Sequence, residues 1–198
     1  MSDSAVKNVL GISGSPIVDG STEILIREVL RGAESSGAKT DFIRLNELDI
    51  MPCQSCGRSP EDGYCFFHDG MDLIYEKFDW CDALVIGSPI YFDSVSAQTK
   101  LFIDRTNCFR TLHIDGSEHF VSRMTKKRTG AIVLVGGERE KYEYARRVIG
   151  GFFVWANVKP VGLLTYAHGS WDKGSSANDT GALQQAVDLG VKLIASSK

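Results

Sequence analysis

Ser13, Ser15, Ser21 and Thr22 place four hydroxyls in one stretch, Val9-Leu10-Gly11-Ile12-Ser13-Gly14-Ser15-Pro16-Ile17-Val18-Asp19-Gly20-Ser21-Thr22, which contains no Lys or Arg. It passes from an apolar run through small and hydroxyl residues into an amphipathic segment, the pattern of a buried strand, a turn and a helix start. A helix N-terminus leaves backbone N–H groups unpaired and carries partial positive charge, so it suits an anion. The residue types predict a phosphate held by neutral donors. A plain turn with a Ser or Thr cap would read similarly, but the density of hydroxyls favours the phosphate. Neither a Gly-x-Gly-x-x-Gly fingerprint nor a P-loop Lys is present, so a ligand with a single terminal phosphate fits better than a triphosphate.

A second candidate is Gly87-Ser88-Pro89-Ile90-Tyr91-Phe92-Asp93-Ser94-Val95-Ser96. Pro rigidifies this loop, its backbone can bond the rim of a planar heterocycle, and Tyr91 or Phe92 can cover a ring face. The alternative is that both aromatics pack under the next helix. Among ionisable groups, Lys100 and Asp104 have helix-face spacing, and Asp104-Arg105 is expected in surface or interhelix ion pairs. Arg110 and the run Lys126-Lys127-Arg128 read as solvated loop more readily than as a phosphate attractor. His168 is the one histidine expected near the ligand edge. Arg139, Glu140 and Lys141 begin a helix there with no role that stands out.

The positioning elements follow from apolar runs alternating with helical periodicity. Strands are predicted at Val9–Ile12, Thr40–Leu45 (an edge strand, from its alternation), Ala83–Gly87, Thr129–Val135 and Val161–Leu164. Helices are predicted from Ser21 to about Ser36 with Gly37 as stop, from Met71 to about Asp82, from Ser96 through Phe109, from Tyr142 through Phe153, and over Leu183–Ile194. Five strands alternating with five helices give a doubly wound α/β sandwich with right-handed crossovers. Ligands in such sheets bind beyond the carboxyl ends of the strands. That rule singles out the loops Ser13–Thr22, Ser88–Ser96 and Gly136–Glu140.

The 198 residues are expected to form one domain, with a soluble composition and a formal net charge of -3. That balance gives no electrostatic case for a nucleic acid or membrane partner, and no apolar run approaches the roughly 20 residues of a membrane span. Met1–Ala5 leads almost directly into a strand, and five cysteines are odd in number with three clustered. A reducing, cytoplasmic setting is the expectation.

Gly11-Ile12-Ser13-Gly14-Ser15-Pro16 with Gly20-Ser21-Thr22, Gly87-Ser88-Pro89-Ile90-Tyr91-Phe92, and Ser96-Ala97-Gln98-Thr99-Lys100 with Phe102-Ile103-Asp104-Arg105 together resemble the NAD(P)H-dependent FMN reductases of the flavodoxin-like superfamily and their iron–sulfur flavoprotein relatives. The resemblance implies a three-layer sandwich around a five-stranded parallel sheet of order 2-1-3-4-5. It implies that Ser13, Ser15, Ser21 and Thr22, in the loop with Pro16 and Gly20, hold the FMN phosphate. Ser88, Pro89, Ile90, Tyr91 and Phe92 would line the isoalloxazine and ribityl chain, and Gly136-Gly137 would approach the ring. The implied activity is hydride transfer from NAD(P)H through FMN to a small acceptor such as a quinone or a flavin, by a homodimer or homotetramer. The flavin carries that chemistry, so no catalytic side chain is needed. An electron carrier of the flavodoxin kind is the alternative, although such carriers are strongly acidic and this chain is nearly balanced.

In the iron–sulfur relatives a four-cysteine motif beginning Cys-x2-Cys-x2-Cys follows the second strand. Here Cys53-Gln54-Ser55-Cys56 is followed by Ser59, and only Cys65 comes after. Three thiolates fall short of the usual four cluster ligands. His68 could complete a zinc site with Cys53, Cys56 and Cys65. The first expectation is nonetheless no metal, with these thiols shaping a long loop, and Cys81 and Cys108 as core residues.

Overall fold

A computed structural model describes residues 6–57, 64–112, 120–169 and 172–197. In chain order its elements are β1 (Asn8–Ser13), α1 (Ser21–Ser35), β2 (Lys39–Arg44), α2 (Met71–Trp80), β3 (Ala83–Tyr91), β4 (Ser94–Val95), α3 (Ala97–Arg105), β5 (Arg110–Leu112), β6 (Phe120–Ser122), β7 (Arg128–Gly137), α4 (Tyr142–Trp155), β8 (Val158–His168) and α5 (Thr180–Ala195). The main sheet runs β2-β1-β3-β7-β8, every neighbouring pair parallel. Counted over its parallel strands this is the expected order 2-1-3-4-5, and the molecule is a flavodoxin-like α/β sandwich. Two additions were not expected. β4 pairs antiparallel with the end of β3, and β5 and β6 form a separate two-stranded sheet.

Alternation along the strands divides the core into two layers. Val9, Val85, Ala131 and Val133 face α1 and α5, through Leu25, Ile26, Val29, Ala186 and Leu193. Leu10, Ile12, Leu84, Ile86, Ile132 and Leu134 face the other way, onto Ile74 and Phe78 of α2, Phe102 of α3 and Ile149, Phe152 and Phe153 of α4. The crossing of α1 and α5 depends on two glycines: a Cβ on Gly190 would lie 2.0 Å from the Val29 carbonyl oxygen, and one on Gly32 2.1 Å from that of Val187.

Several boundaries differ from expectation for local reasons. β3 continues past Gly87 to Tyr91 because β4 folds back on it and supplies pairing for Ile90 and Tyr91. Helix α3 stops at Arg105, and Phe109 sits instead in a 3-10 turn, Thr106–Phe109. β8 is eleven residues long rather than four, because β7 offers it pairing from Arg128 to Gly137, across an irregularity at Gly130/Ala131. Arg128 is not in a solvated loop. Its side chain is buried at the amino end of β7, donating to the Phe78 carbonyl with its guanidinium 3.8 Å from the Phe78 ring centroid. That end is opposite the carboxyl edge, so the Lys126–Arg128 run cannot serve a ligand there. Arg105 also departs from the expected surface or interhelix pairing, its partner Asp69 lying in the loop before α2.

Candidate functional site

The carboxyl edge of the sheet opens into a cleft of about 890 Å³, within the range of small-molecule and cofactor pockets. Its walls come from the loop entering α1 (Ser15, Ile17, Gly20, Ser21, Thr22), the β3–β4 hairpin (Pro89 to Asp93), the end of β7 (Val135 to Glu140) and the segment after β8 (His168, then Asp172 to Ser175). Three of these four walls are the loops singled out from sequence. The fourth follows from the same rule applied to the last strand, where Lys173-Gly174-Ser175-Ser176 supplies the small and hydroxyl residues that mark such a loop.

Helix α1 begins with Gly20 at its N-cap, and no side chain caps it, so the N–H groups of its first turn face the loop without an internal substitute ligand. Thr22 is buried there, and the Ser15 hydroxyl accepts the Ile17 N–H at 3.2 Å. The Ser21 hydroxyl accepts the Ser176 N–H at 3.2 Å and lies 3.5 Å from that of Ser175. This bridge ties the helix start to the fourth wall. Gly174 makes the closure possible: it is left-handed at φ +69, and a Cβ there would lie 2.7 Å from the Asp19 carbonyl oxygen.

Three predicted residues lie outside the cleft lining. Ser13 is buried at the end of β1, where its hydroxyl accepts the Ser15 N–H at 3.3 Å, and Pro16 turns outward to solvent. Ser88 is fully buried; its hydroxyl donates to the Pro89 carbonyl at 2.8 Å and accepts the Ser96 N–H at 2.9 Å. Ser96 in turn donates to the Gly14 carbonyl at 2.7 Å and caps α3 by accepting the Thr99 N–H. Ser13 and Ser88 thus brace their own loops from within, and Ser96 ties the two loops together through the Gly14 carbonyl. Composition alone could not separate bracing from ligand contact.

Behind the first loop Glu23 is almost wholly buried. It receives Arg44 and Arg27 and accepts the Asp19 N–H at 3.2 Å. Burial by itself would raise its pKa, but the hydrogen bonds from Arg44 and Arg27 prevail and hold the carboxyl at about 2. Asp19 has a left-handed backbone, φ +56, and Glu23 is what anchors it. Across the cleft, Phe92 and Asp93 have φ +52 and +61, the two central positions of a two-residue hairpin of type I′, which favours Asn and Gly. The Phe92 side chain is fully solvent-exposed, and Asp93 accepts the Lys141 N–H at 2.8 Å, tying the tip to the entry of α4.

The cysteine loop leads elsewhere. Arg105 is buried, pairs with Asp69, donates to the Met51 carbonyl at 2.7 Å and lies 3.7 Å from the Cys65 sulfur. Burial opposes a charge on Asp69, but the Arg105 hydrogen bond outweighs it and keeps the carboxyl below its usual range. Cys53 accepts from Asn107 at 3.6 Å, Cys56 is exposed, and His68 lies out in solvent against Asp72. No group of three His, Cys, Asp or Glu side chains able to hold a metal ion occurs among the described residues. The Cys53, Cys56, Cys65 and His68 set is therefore not assembled in these residues, and Ser59 lies outside them.

Residues 7–173 match the family described as NADPH-dependent FMN reductase. The chain belongs to that family. It is an oxidoreductase with FMN as cofactor and NAD(P)H as co-substrate. An iron–sulfur flavoprotein of Methanocaldococcus jannaschii is 33% identical over 93% of this chain and 94% of its own. Among solved structures, a flavone reductase superposes with a TM-score of 0.73 at 18% identity, over 96% of this chain and 62% of that one. The apo form of the NADH:FMN oxidoreductase EmoB superposes at 0.67 and 15% identity, over 96% of this chain and 90% of that one. These two show a shared fold.

The cleft suits FMN on its own terms. An uncapped helix N-terminus and hydroxyls offer neutral donors for one phosphate. Apolar and glycine walls at Pro89, Ile90, Val135 and Gly136 give a planar ring its surroundings. The fit for an iron–sulfur cluster is poor, with three thiols in the loop and an arginine beside one of them. Among the described residues, no helix is long and apolar enough to cross a membrane.

Proposed function

We propose that this protein transfers electrons from NAD(P)H through bound FMN to a small acceptor such as a quinone or a second flavin, working as a homo-oligomer. The single observation that supports this most is the continuous cleft with anion donors at one end and aromatic, proline and glycine walls at the other. When bound, FMN would supply the redox chemistry, that of a two-electron carrier between NAD(P)H and the acceptor. The residues of this chain bind and orient it. Ser15, Ser21, Thr22 and the first-turn N–H groups of α1 hold its phosphate, assisted by the network around Ser13. Pro89, Ile90, Tyr91, Gly136 and Gly137 flank the ring, and Phe92, exposed at the hairpin tip, shields its face from water.

Arg139 and Lys173 stand exposed at the cleft margin, where they serve the phosphates of an incoming dinucleotide. Exposed Tyr144 and Val154 on α4, beside Gly150 and Gly151 with open space around them, give a second copy an apolar face to pack on. The test is direct. Purified protein should retain about one FMN per chain and oxidise NADPH steadily when a quinone is supplied. Colourless protein that releases added FMN on desalting would sink the proposal, and flavin-bound protein with no NAD(P)H oxidation would make it a carrier.

A further inference from the structure

Glu140 is one of the charged groups that line the cleft. Its Oε2 accepts the Gly137 N–H at 2.6 Å, bending the carboxylate back onto the end of β7. A Cβ on Gly136 would lie 2.4 Å from that oxygen and 3.1 Å from the Ile90 Cβ, so the carboxylate sits in a seat between a glycine and the wall of β3. Burial, and then the Glu140 charge, raises the Tyr91 phenol, and the same two causes raise Tyr142. The carboxylate therefore acts on Tyr91 in the cleft wall and on Tyr142 at the start of α4.

Glu138, Arg139, Asp172 and Lys173 are exposed, Asp93 is half-buried but engaged with the Lys141 N–H, and His168 is half-buried at the end of β8. A charge at an exposed margin is screened by water and salt, whereas one fixed in a half-buried wall is screened much less. Reduction of a flavin builds negative charge on its ring, and a fixed charge beside the ring is one of the ways a protein tunes its electronics.

We propose that Glu140 sets the reduction potential of the bound flavin, placing a fixed carboxylate at the Gly136–Gly137 wall that disfavours the reduced ring and makes it a stronger reductant toward its acceptor. This rests on the reading of the cleft as the FMN site. Residue roles follow: Gly136 and Gly137 provide the seat, and Glu140 is a positioning charge rather than a group that reacts.

The experiment measures the two-electron midpoint potential of FMN-loaded protein by equilibration with a reference dye, and FMN affinity by quenching of free flavin fluorescence, for wild type, Glu140→Gln, Glu140→Ala, Glu140→Asp and Glu138→Gln. Either neutral variant at position 140 should shift the reduction equilibrium about tenfold toward the reduced flavin, a rise of about 30 mV for a two-electron couple. Glu140→Asp should stay near wild type, and Glu138→Gln, which removes the same charge from the margin, should move it far less. An unchanged midpoint in a neutral variant that binds FMN overturns the inference. So does loss of FMN from both neutral variants, which would make Glu140 a binding residue, and so does an equal shift in Glu138→Gln. Failure of the wild type to bind FMN would instead remove the underlying reading of the cleft.

Discussion

At the level of single residues, the end of the cleft proposed for the phosphate has neutral donors in front, and behind them Glu23 paired with Arg27 and Arg44. Ser15 and Thr22 are the two hydroxyls that combine a place in the cleft with burial. Replacing both by Val should weaken FMN binding at least tenfold while riboflavin, which lacks the phosphate, binds as before; equal affinities for FMN in variant and wild type would reduce the loop to a turn. Glu23 carries a second prediction. Its carboxyl is held at about 2 in the folded chain against roughly 4.3 when exposed. A depressed carboxyl contributes stability above the unfolded pKa and loses it as pH falls toward the folded one, a difference of about 3 kcal/mol. Denaturation midpoints should therefore fall between about pH 4.5 and pH 2, and Glu23→Gln should flatten that decline. Arg44→Ala should do something distinct, leaving buried Glu23 less compensated near the phosphate and weakening FMN more than riboflavin. The motif was legible in sequence because hydroxyls and missing cations are local facts. The Glu23–Arg44 pair was not, because its partners lie on α1 and β2 and meet only once the sheet forms.

At the level of elements, the β3–β4 hairpin and the buried Arg105 show where sequence patterns stop short. The run Ala83–Gly87 announces a buried strand, but Ser94–Val95 is too short to announce its own pairing. The hairpin tip carries Phe92 and Asp93 in left-handed backbone, which costs roughly 1–2 kcal/mol per non-glycine residue. Strain at such a place is retained where it aims a side chain at function. Phe92→Gly should raise or leave unchanged the thermal midpoint while raising the KM for NAD(P)H or the acceptor; a lower midpoint with unaltered kinetics would make Phe92 a purely structural residue. Arg105 misled for a related reason. It follows Asp104, which does pair on the helix face with Lys100 at 2.7 Å, and nothing local shows that the next side chain turns inward to Asp69. Arg105→Ala should destabilise by about 3–5 kcal/mol because it leaves a carboxylate largely buried and unpaired. Arg105→Lys should recover only part of this, since one ammonium cannot meet Asp69, Met51 and Cys65 together; full recovery in chemical denaturation would refute the bracing role.

At the level of the whole molecule, the doubly wound order collects every informative loop at one edge. The α/β class was readable from alternation, because buried parallel strands need apolar runs and their crossovers need helices; the strand order came with the family resemblance, and the cleft with the rule that ligands bind beyond the carboxyl ends of such strands. The cysteine loop after β2 also emerges at that edge. A relative with 33% identity over most of both chains is named an iron–sulfur flavoprotein, yet here the loop has Cys53, Cys56 and Cys65 with Ser59 in the spacing where a further Cys would fall. Among the described residues, the Cys65 sulfur faces the Arg105 guanidinium, and the Cys53 sulfur faces the Asn107 amide. A four-iron cluster held by three thiolates would lack the ligation such clusters normally have. Protein purified without oxygen should therefore carry about one FMN per chain, iron and acid-labile sulfide far below one cluster per chain, and an absorption spectrum of flavin alone. Ser59→Cys restores the fourth thiol and should raise iron and sulfide after anaerobic reconstitution without displacing FMN. Stoichiometric iron in the unaltered protein would reverse the conclusion, assigning the loop a cluster held through a ligand other than cysteine and adding a second redox centre to the path.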